Sequence, residues 1–438
     1  MRGSPAVGAA LAGLAVVAGL AGAARAAADP PLFAAVQSLD TAAVRRLLAD
    51  GADPGAARAD GSTPLAWASA RGAVGIVSLL LEAGADPDVA DDNGETPLLL
   101  ACAAGDVEVV RRLLDAGAGL DARRWSGDTV VHAAVRGGDL DVLKLLLDRG
   151  ADPDARESRL GQTPLMRAIA GGQPWLATLL IERGADVSAR SQAGFTPLMF
   201  AAREGLDATA RELIARGADP EVAADDGSTA FLIALAAGSR GVVELLLDQG
   251  ADVSQRDRDG ATPLHATVAL GDPDLVRRVI ALGADLEART QGASGDAQRY
   301  RAESGLTPFL IAALAGDVEI MRLLVEAGAD PRATTAGGSG GVLLATRSRE
   351  ESAVVFVVEE LGLDVNVHKR GTPSALHEAI RTGDNAVVEL LVGRGADLTA
   401  RDHHGRTPLE EAEFEAPPAT IELMRRLVAE PTSAAGRR

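Results

Sequence analysis

The stretch GETPLLLACAAGDVEVVRRLLDAGA, residues 94–118, decides how this chain folds. It contains two apolar runs of helical length separated by Gly105, and Gly117 follows the second run. Similar strings return at 161–185, 194–218 and 260–284, each with Thr-Pro-Leu near its start and Gly-Ala at its end. Repetition of one string at a fixed period predicts a stacked repeat architecture.

The threonine near the start of each unit marks the period. Successive markers lie 33 or 34 residues apart as far as Thr262, and steps of 45 and 100 residues then lead to Thr307 and Thr407. The step of 100 is close to three units, which predicts hidden markers at Gly340 and Ser374. The visible markers are Thr63, Thr96, Thr129, Thr163, Thr196, Thr229, Thr262, Thr307 and Thr407.

Each unit is predicted to form two short antiparallel helices. The marker threonine is a good N-cap, and the proline after it suits the first helical position, where no N–H is needed. In the stretch 94–118, Asp106 precedes a second helix in which Val110, Leu113 and Leu114 form one apolar stripe. Helices this short cannot bury their apolar faces alone, so neighbouring pairs must stack. We therefore predict an all-α solenoid of about twelve helix–turn–helix units with short hairpin loops.

This period, with Thr-Pro-Leu-His at 262–265 and Gly-Ala-Asp at 283–285, resembles the ankyrin-repeat family over nearly all of residues 29–429. The first unit, the Gly340 unit and the last unit depart from the pattern, and degenerate end units are typical of capping repeats. The resemblance implies that the histidine three positions after the marker braces neighbouring loops. His132, His265 and His377 occupy that slot.

The predicted organisation has five parts. Residues 1–28 form a secretory signal peptide, and 29–335 form repeats 1–9 with an extended loop at 290–304. A glycine-rich joint follows at 336–341, then repeats 10–12 with a C-terminal cap at 342–430, and a disordered tail at 431–438.

The signal peptide is predicted from Arg2, the uncharged run 6–24 and the small residues before position 29. An uncleaved membrane anchor is the alternative, because the run is long enough to span a bilayer. Its alanine and glycine content makes it weakly hydrophobic, which favours cleavage. We therefore expect an exported, bacterial protein that is periplasmic or secreted.

Composition narrows the classes of partner and chemistry. The formal net charge of −19 argues against nucleic acid and anionic membranes as partners. Cys102 is the single cysteine, so no intramolecular disulfide or cysteine-based metal cluster can form. Its apolar helical setting predicts a buried core residue.

No catalytic motif is found, so we expect neither an enzyme nor a cofactor. One group of residues could be considered as metal ligands, but its adjacent histidines diverge on a hairpin tip and a solvated loop is favoured. A metal- or ligand-responsive site, there or in the 290–304 loop, remains an alternative hypothesis. The group is Asp402, His403, His404, Glu410 and Glu411.

Partner-binding residues are carried over from the resemblance, which places the contact stripe on hairpin tips and on the exposed ends of the first helices, along the concave face. Leu160, Leu306 and Leu314 lie on this stripe as well, judged by their positions relative to the marker of their own unit. For Trp125 the alternative is that its ring folds back onto the array. The residues predicted to contact a partner are Trp125, Arg136, Phe195, Arg203 and Glu204, with Tyr300 in the extended loop 290–304.

These observations predict a monomeric, non-catalytic scaffold that binds an unidentified protein. The acidic charge favours a partner with basic patches. No nucleic acid is expected, nor any membrane contact once the signal is removed. A membrane-anchored structural scaffold is the remaining alternative.

Overall fold

The computed structural model describes residues 30–291 and 303–429, and within these ranges the chain forms twelve consecutive helix pairs. The predicted signal peptide, the C-terminal tail and most of the 290–304 loop lie outside them. The first helices of the pairs are Pro31–Gln37 (α1), Pro64–Ala70 (α3), Pro97–Ala104 (α5), Val130–Gly137 (α7), Pro164–Ala170 (α9), Pro197–Glu204 (α11), Ala230–Ala237 (α13), Pro263–Leu270 (α15), Pro308–Ala315 (α17), Gly341–Ser348 (α19), Ala375–Thr382 (α21) and Pro408–Glu415 (α23).

The second helices run back beside the first. They are Thr41–Ala49 (α2), Val74–Glu82 (α4), Val107–Asp115 (α6), Leu140–Asp148 (α8), Pro174–Glu182 (α10), Asp207–Ala215 (α12), Arg240–Asp248 (α14), Pro273–Ala281 (α16), Val318–Glu326 (α18), Glu351–Val355 (α20), Asn385–Gly393 (α22) and Pro418–Ala429 (α24). No strand is formed by the described residues beyond isolated bridges such as Thr334 with Gly340. The predicted all-α architecture is confirmed.

The unit at 94–118 shows why the repeated string folds this way. The Thr96 hydroxyl accepts the amide hydrogen of Leu99 at 3.3 Å, and Pro97 begins the helix. Gly105 ends it in the left-handed region at φ +74°. Asp106 then accepts the amides of Glu108 and Val109, which caps the second helix.

Both hidden markers occupy the predicted position. Gly340 and Ser374 are the residues immediately before α19 and α21, as the marker threonine is in the other units. Ser374 accepts the amide of His377 as a threonine would, whereas Gly340 has no side chain with which to cap. Thr372 therefore lies outside the helix despite the proline that follows it.

The Gly340 unit differs in its second helix. Helix α20 continues from Val355 into a π-helical turn, Phe356–Glu360. Together these span ten residues, where the second helices α6, α8 and α18 have nine each. The markers Gly340 and Ser374 are 34 residues apart instead of 33, and the wider turn accommodates the additional residue within the helix.

The described part of the chain divides into two compact units at the boundary between residues 125 and 126. Within each unit, every first helix packs on the next first helix, and most second helices pack on the next second helix. The core consists mainly of small and aliphatic side chains, with buried phenylalanines such as Phe33 and Phe309, and Cys102 lies fully within it. This burial raises the pKa of the Cys102 thiol. The glycine-rich segment 336–341 lies inside the second unit, and its role as a joint stays a prediction.

Candidate interaction surface

Trp125 lies on the last hairpin tip of the first unit. Its backbone N–H donates a hydrogen bond to the carbonyl oxygen of Asn93 at 3.1 Å, and this bond fixes the backbone of the tip. The residue is 82% exposed, so the indole does not fold back onto the helices of its own unit. The preceding Arg124 forms an ion pair with Glu95.

Arg136 lies at the exposed end of α7, in the second unit. Its guanidinium Nη1 is 3.3 Å from Oδ2 of Asp128, and Nη2 of Arg167, on α9, is 3.5 Å from Oδ1 of the same carboxylate. Partial burial lowers the pKa of Arg136; the Asp128 carboxylate opposes that shift, and the neighbouring Arg167 adds to it. Two guanidinium groups thus share one carboxylate across adjacent first helices.

Phe195 and Arg203 lie close together around α11. Phe195 is half-buried, with its ring centroid 6.3 Å from that of the buried Phe200. The Arg203 guanidinium stacks over the Phe200 ring at 5.0 Å and pairs with Glu204 at 2.8 Å. Arg203 and Glu204 are both exposed, and their contact with a partner stays a prediction.

The remaining predicted contact residues differ from one another in their exposure to solvent. Leu160 is exposed on its hairpin tip, and Leu314 is half-buried. Leu306 is fully buried, so the expectation that it faces a partner was wrong; its carbonyl oxygen is held by His265. Tyr300 lies outside the described residues.

The bracing role implied for the three buried histidines is confirmed. In each, the marker's backbone N–H donates to Nδ1, at 3.3 Å for His132, 3.1 Å for His265 and 3.3 Å for His377. The proton therefore lies on Nε2, which donates to a carbonyl oxygen of the next unit at 3.1–3.2 Å. Burial lowers the pKa of all three imidazoles, although the carbonyl hydrogen bond opposes that shift.

In the group considered for metal ligation, the carboxylates of Asp402 and Glu411 contact other groups of the protein. Asp402 Oδ1 accepts the amides of His404 and Arg406 at 2.8 Å each, and Oδ2 faces the Arg406 guanidinium. The same guanidinium lies 2.9 Å from Glu411. In the ranges that the structure covers, no three His, Cys, Asp or Glu side chains are grouped to hold a metal ion.

Arg167 was missed by sequence reasoning. It lies four positions after its marker, the position that Phe200 occupies in the next unit, and we refer to this position as the slot. It is the single basic residue in that slot, where most units have an apolar or small side chain. This exception to the pattern is the signal by which the sequence could have identified Arg167.

No helix among the described residues has the length and apolar character to cross a membrane.

The family models agree with this geometry. A model of ankyrin repeats in three copies matches seven overlapping segments: 9–91, 32–124, 84–157, 118–191, 157–224, 198–290 and 235–335. A model of the single ankyrin repeat matches 374–403. Because these matches cover most of the sequence, the chain belongs to the ankyrin-repeat family.

Relatives and solved structures resemble parts of the chain. ADP-ribosylation factor GTPase-activating proteins AGD4 and AGD2 of Arabidopsis thaliana are 58% and 56% identical over 36 residues, which is 8% of this chain and 5% of each relative. Tyrosine-protein kinase HTK16 of Hydra vulgaris is 32% identical over 83 residues, 18% of this chain and 11% of the kinase. The chain thus spans only a small part of the curated relatives it matches. The crystal structure of the ankyrin repeat domain of Bcl-3 is 33% identical, with a TM-score of 0.46, and covers 50% of this chain and 99% of that one.

Proposed function

We propose that this protein is a non-catalytic scaffold that binds a partner protein through its hairpin tips and first helices. The observation that carries the proposal is the 82% exposure of Trp125, in a chain with only 3% aromatic residues. Tryptophan and arginine are enriched among the residues that dominate binding energy at protein interfaces. A large apolar ring held in solvent by an ordered hairpin is suited to that role.

In the second unit, Arg136, Phe195 and Arg203 supply the corresponding surface. Arg136 lies in α7 and Arg203 in α11, and the backbone of Phe195 is held by hydrogen bonds with Ser191 at 2.9 and 3.0 Å, so little conformational entropy would be lost on binding. Each unit thus has its own contact region, with Trp125 in the first unit and Arg136, Phe195 and Arg203 in the second.

Differential capture tests the proposal. The wild-type chain, Trp125→Ala and the triple variant Arg136→Ala/Phe195→Ala/Arg203→Ala would be immobilised and exposed to an extract of the source organism. Trp175→Ala is the matched control, because Trp175 is an exposed tryptophan on the second helix α10. We expect a protein that is retained by wild type and Trp175→Ala but lost from the other two. Equal retention by all four chains contradicts the assignment of this face.

We also propose that the array acts outside the cytoplasm, as a periplasmic or secreted protein. The charged start, the uncharged run 6–24 and the small residues before position 29 support this proposal. N-terminal sequencing of the protein recovered from each cell fraction tests it. A start near Ala27 or Asp29 supports export with cleavage, whereas an intact N-terminus in the membrane fraction supports the anchored scaffold.

A further inference from the structure

The Arg136–Asp128–Arg167 group has an arrangement that structural needs alone do not explain. Asp128 is only 6% exposed, yet both of its neighbouring guanidinium groups remain open to solvent, at 42% and 44% of their side chains. A buried carboxylate here holds two arginines of adjacent first helices at the surface. Without it, two like charges would repel each other at this position.

In this region the carboxylates are buried, whereas the guanidinium groups of Arg136 and Arg167 are exposed. Glu157, like Asp128, is buried, and its carboxylate accepts the amides of Arg159, Leu160 and Gln162 at 2.7, 2.7 and 3.1 Å. Burial would raise the pKa of Glu157, but these three hydrogen bonds outweigh it and hold that pKa below its ordinary value. The carboxylates are therefore saturated inside, while the guanidinium groups face outwards.

We propose that Arg136 and Arg167 together bind a carboxylate of the partner, so that this face recognises an acidic peptide segment. The inference rests on the proposed scaffold function and specifies the chemistry of its partner. It also reverses the expectation drawn from the total charge of −19, which favours a basic partner.

The donor geometry suits a carboxylate. Each guanidinium carries five N–H donors, and in the described residues each of these two directs one nitrogen at Asp128 and makes no other side-chain hydrogen bond or ion pair. Asp128 neutralises one of the two positive charges, and the buried Glu157 carboxylate, which interacts with Arg167, offsets part of the other, so the pair would recognise a carboxylate through its pre-positioned N–H donors. Arginine forks match carboxylates bidentately and lose less entropy per hydrogen bond than lysine.

Binding of a fluorescein-labelled hexaglutamate peptide to the full chain tests the inference, with hexaglutamine and hexalysine as comparison peptides. We expect hexaglutamate to bind more tightly than hexaglutamine despite the repulsive net charge. Arg136→Gln and Arg167→Gln should each weaken that binding about tenfold. Arg183→Gln should leave it unchanged, because Arg183 lies at the end of the second helix α10 and pairs with Asp148.

Asp128→Asn separates a positioned pair from a general attraction. The substitution adds positive charge, so simple attraction predicts tighter binding of hexaglutamate. Our proposal predicts weaker binding, because the two guanidinium groups lose their common anchor. Circular dichroism would establish that helical content is kept.

Several results would overturn the inference: no preference for hexaglutamate over hexaglutamine, preference for hexalysine, unchanged binding by both arginine variants, or tighter binding by Asp128→Asn. None of these affects the differential capture experiment. A partner that is captured through Trp125 and Phe195 but lacks acidic segments would leave the scaffold function standing and remove only the carboxylate site.

Discussion

His265 joins two helix pairs across the longest step of the repeat. Its Nε2 lies 3.1 Å from the carbonyl oxygen of Leu306, which is 41 residues further along the chain. In the regular unit of His132, the corresponding bond reaches Gln162, 30 residues away. The insertion therefore enters the hairpin without displacing the brace, because Thr290 also bonds Gly305 and Leu306 and closes the base of the loop.

Replacing His265 by alanine should destabilise this junction. The Thr262 amide would lose its buried partner and the Leu306 carbonyl would keep only the Thr290 amide, which together costs about 1–3 kcal/mol. Hydrogen-exchange mass spectrometry should show faster exchange in peptides that contain Gly305 and Leu306. His403→Ala is the control, since His403 is exposed on a hairpin tip. Unchanged protection at Leu306 would contradict the bracing role.

The same histidines should make stability depend on pH. Burial lowers the folded-state pKa of His132, His265 and His377 below 6.5, so the unfolded chain binds protons first as the pH falls. The contribution of these histidines to the free energy of unfolding is complete above pH 6.5, and it is lost as the pH falls towards their folded-state pKa. At pH 5.5 each histidine would cost at most about 1.4 kcal/mol relative to neutral pH.

Urea titrations at pH 7.5 and 5.5 measure this dependence. We expect a lower unfolding midpoint at pH 5.5 for the wild type and a smaller pH difference for His265→Gln. Equal differences for the two chains would show that other groups cause the effect.

Restoring the marker threonine at Gly340 should not stabilise the protein. A Cβ atom at position 340 would lie 2.9 Å from Cγ1 of Val367, and overpacking costs about 1–3 kcal/mol. The gain from a threonine cap over glycine is only a few tenths of a kcal/mol. Gly340→Thr should therefore lower the unfolding midpoint, and adding Val367→Ala should restore it. A midpoint raised by Gly340→Thr alone would contradict the predicted clash.

Cys102 should resist alkylation in the folded protein. Its side chain is fully buried, and its raised pKa keeps the thiol protonated at neutral pH. Iodoacetamide should modify it slowly without denaturant and rapidly in 6 M guanidinium, as followed by intact mass. Rapid modification without denaturant would indicate that the first unit opens locally.

Local signals predicted the helices and most of their ends. Threonine before proline, glycine after the last apolar residue and aspartate before the second helix each act within a few residues, so their effect can be recognised along the chain. Ser374 could be identified from the spacing of the markers, and its hydroxyl caps the helix as the marker threonine does. The π-helical turn at Phe356–Glu360 could not, since an additional residue fits a helix or a loop equally well by sequence.

The sequence by itself determined that this chain forms stacked helix pairs, because period, caps and apolar stripes all act at short range. Only the tertiary structure decided which residues face solvent at the junctions between pairs. Leu306 and Phe195 both lie one position before a marker, yet the first is buried and the second half-exposed. Arg136 and Arg167 are 31 residues apart and share one buried carboxylate, a contact that exists only once α7 and α9 are packed side by side.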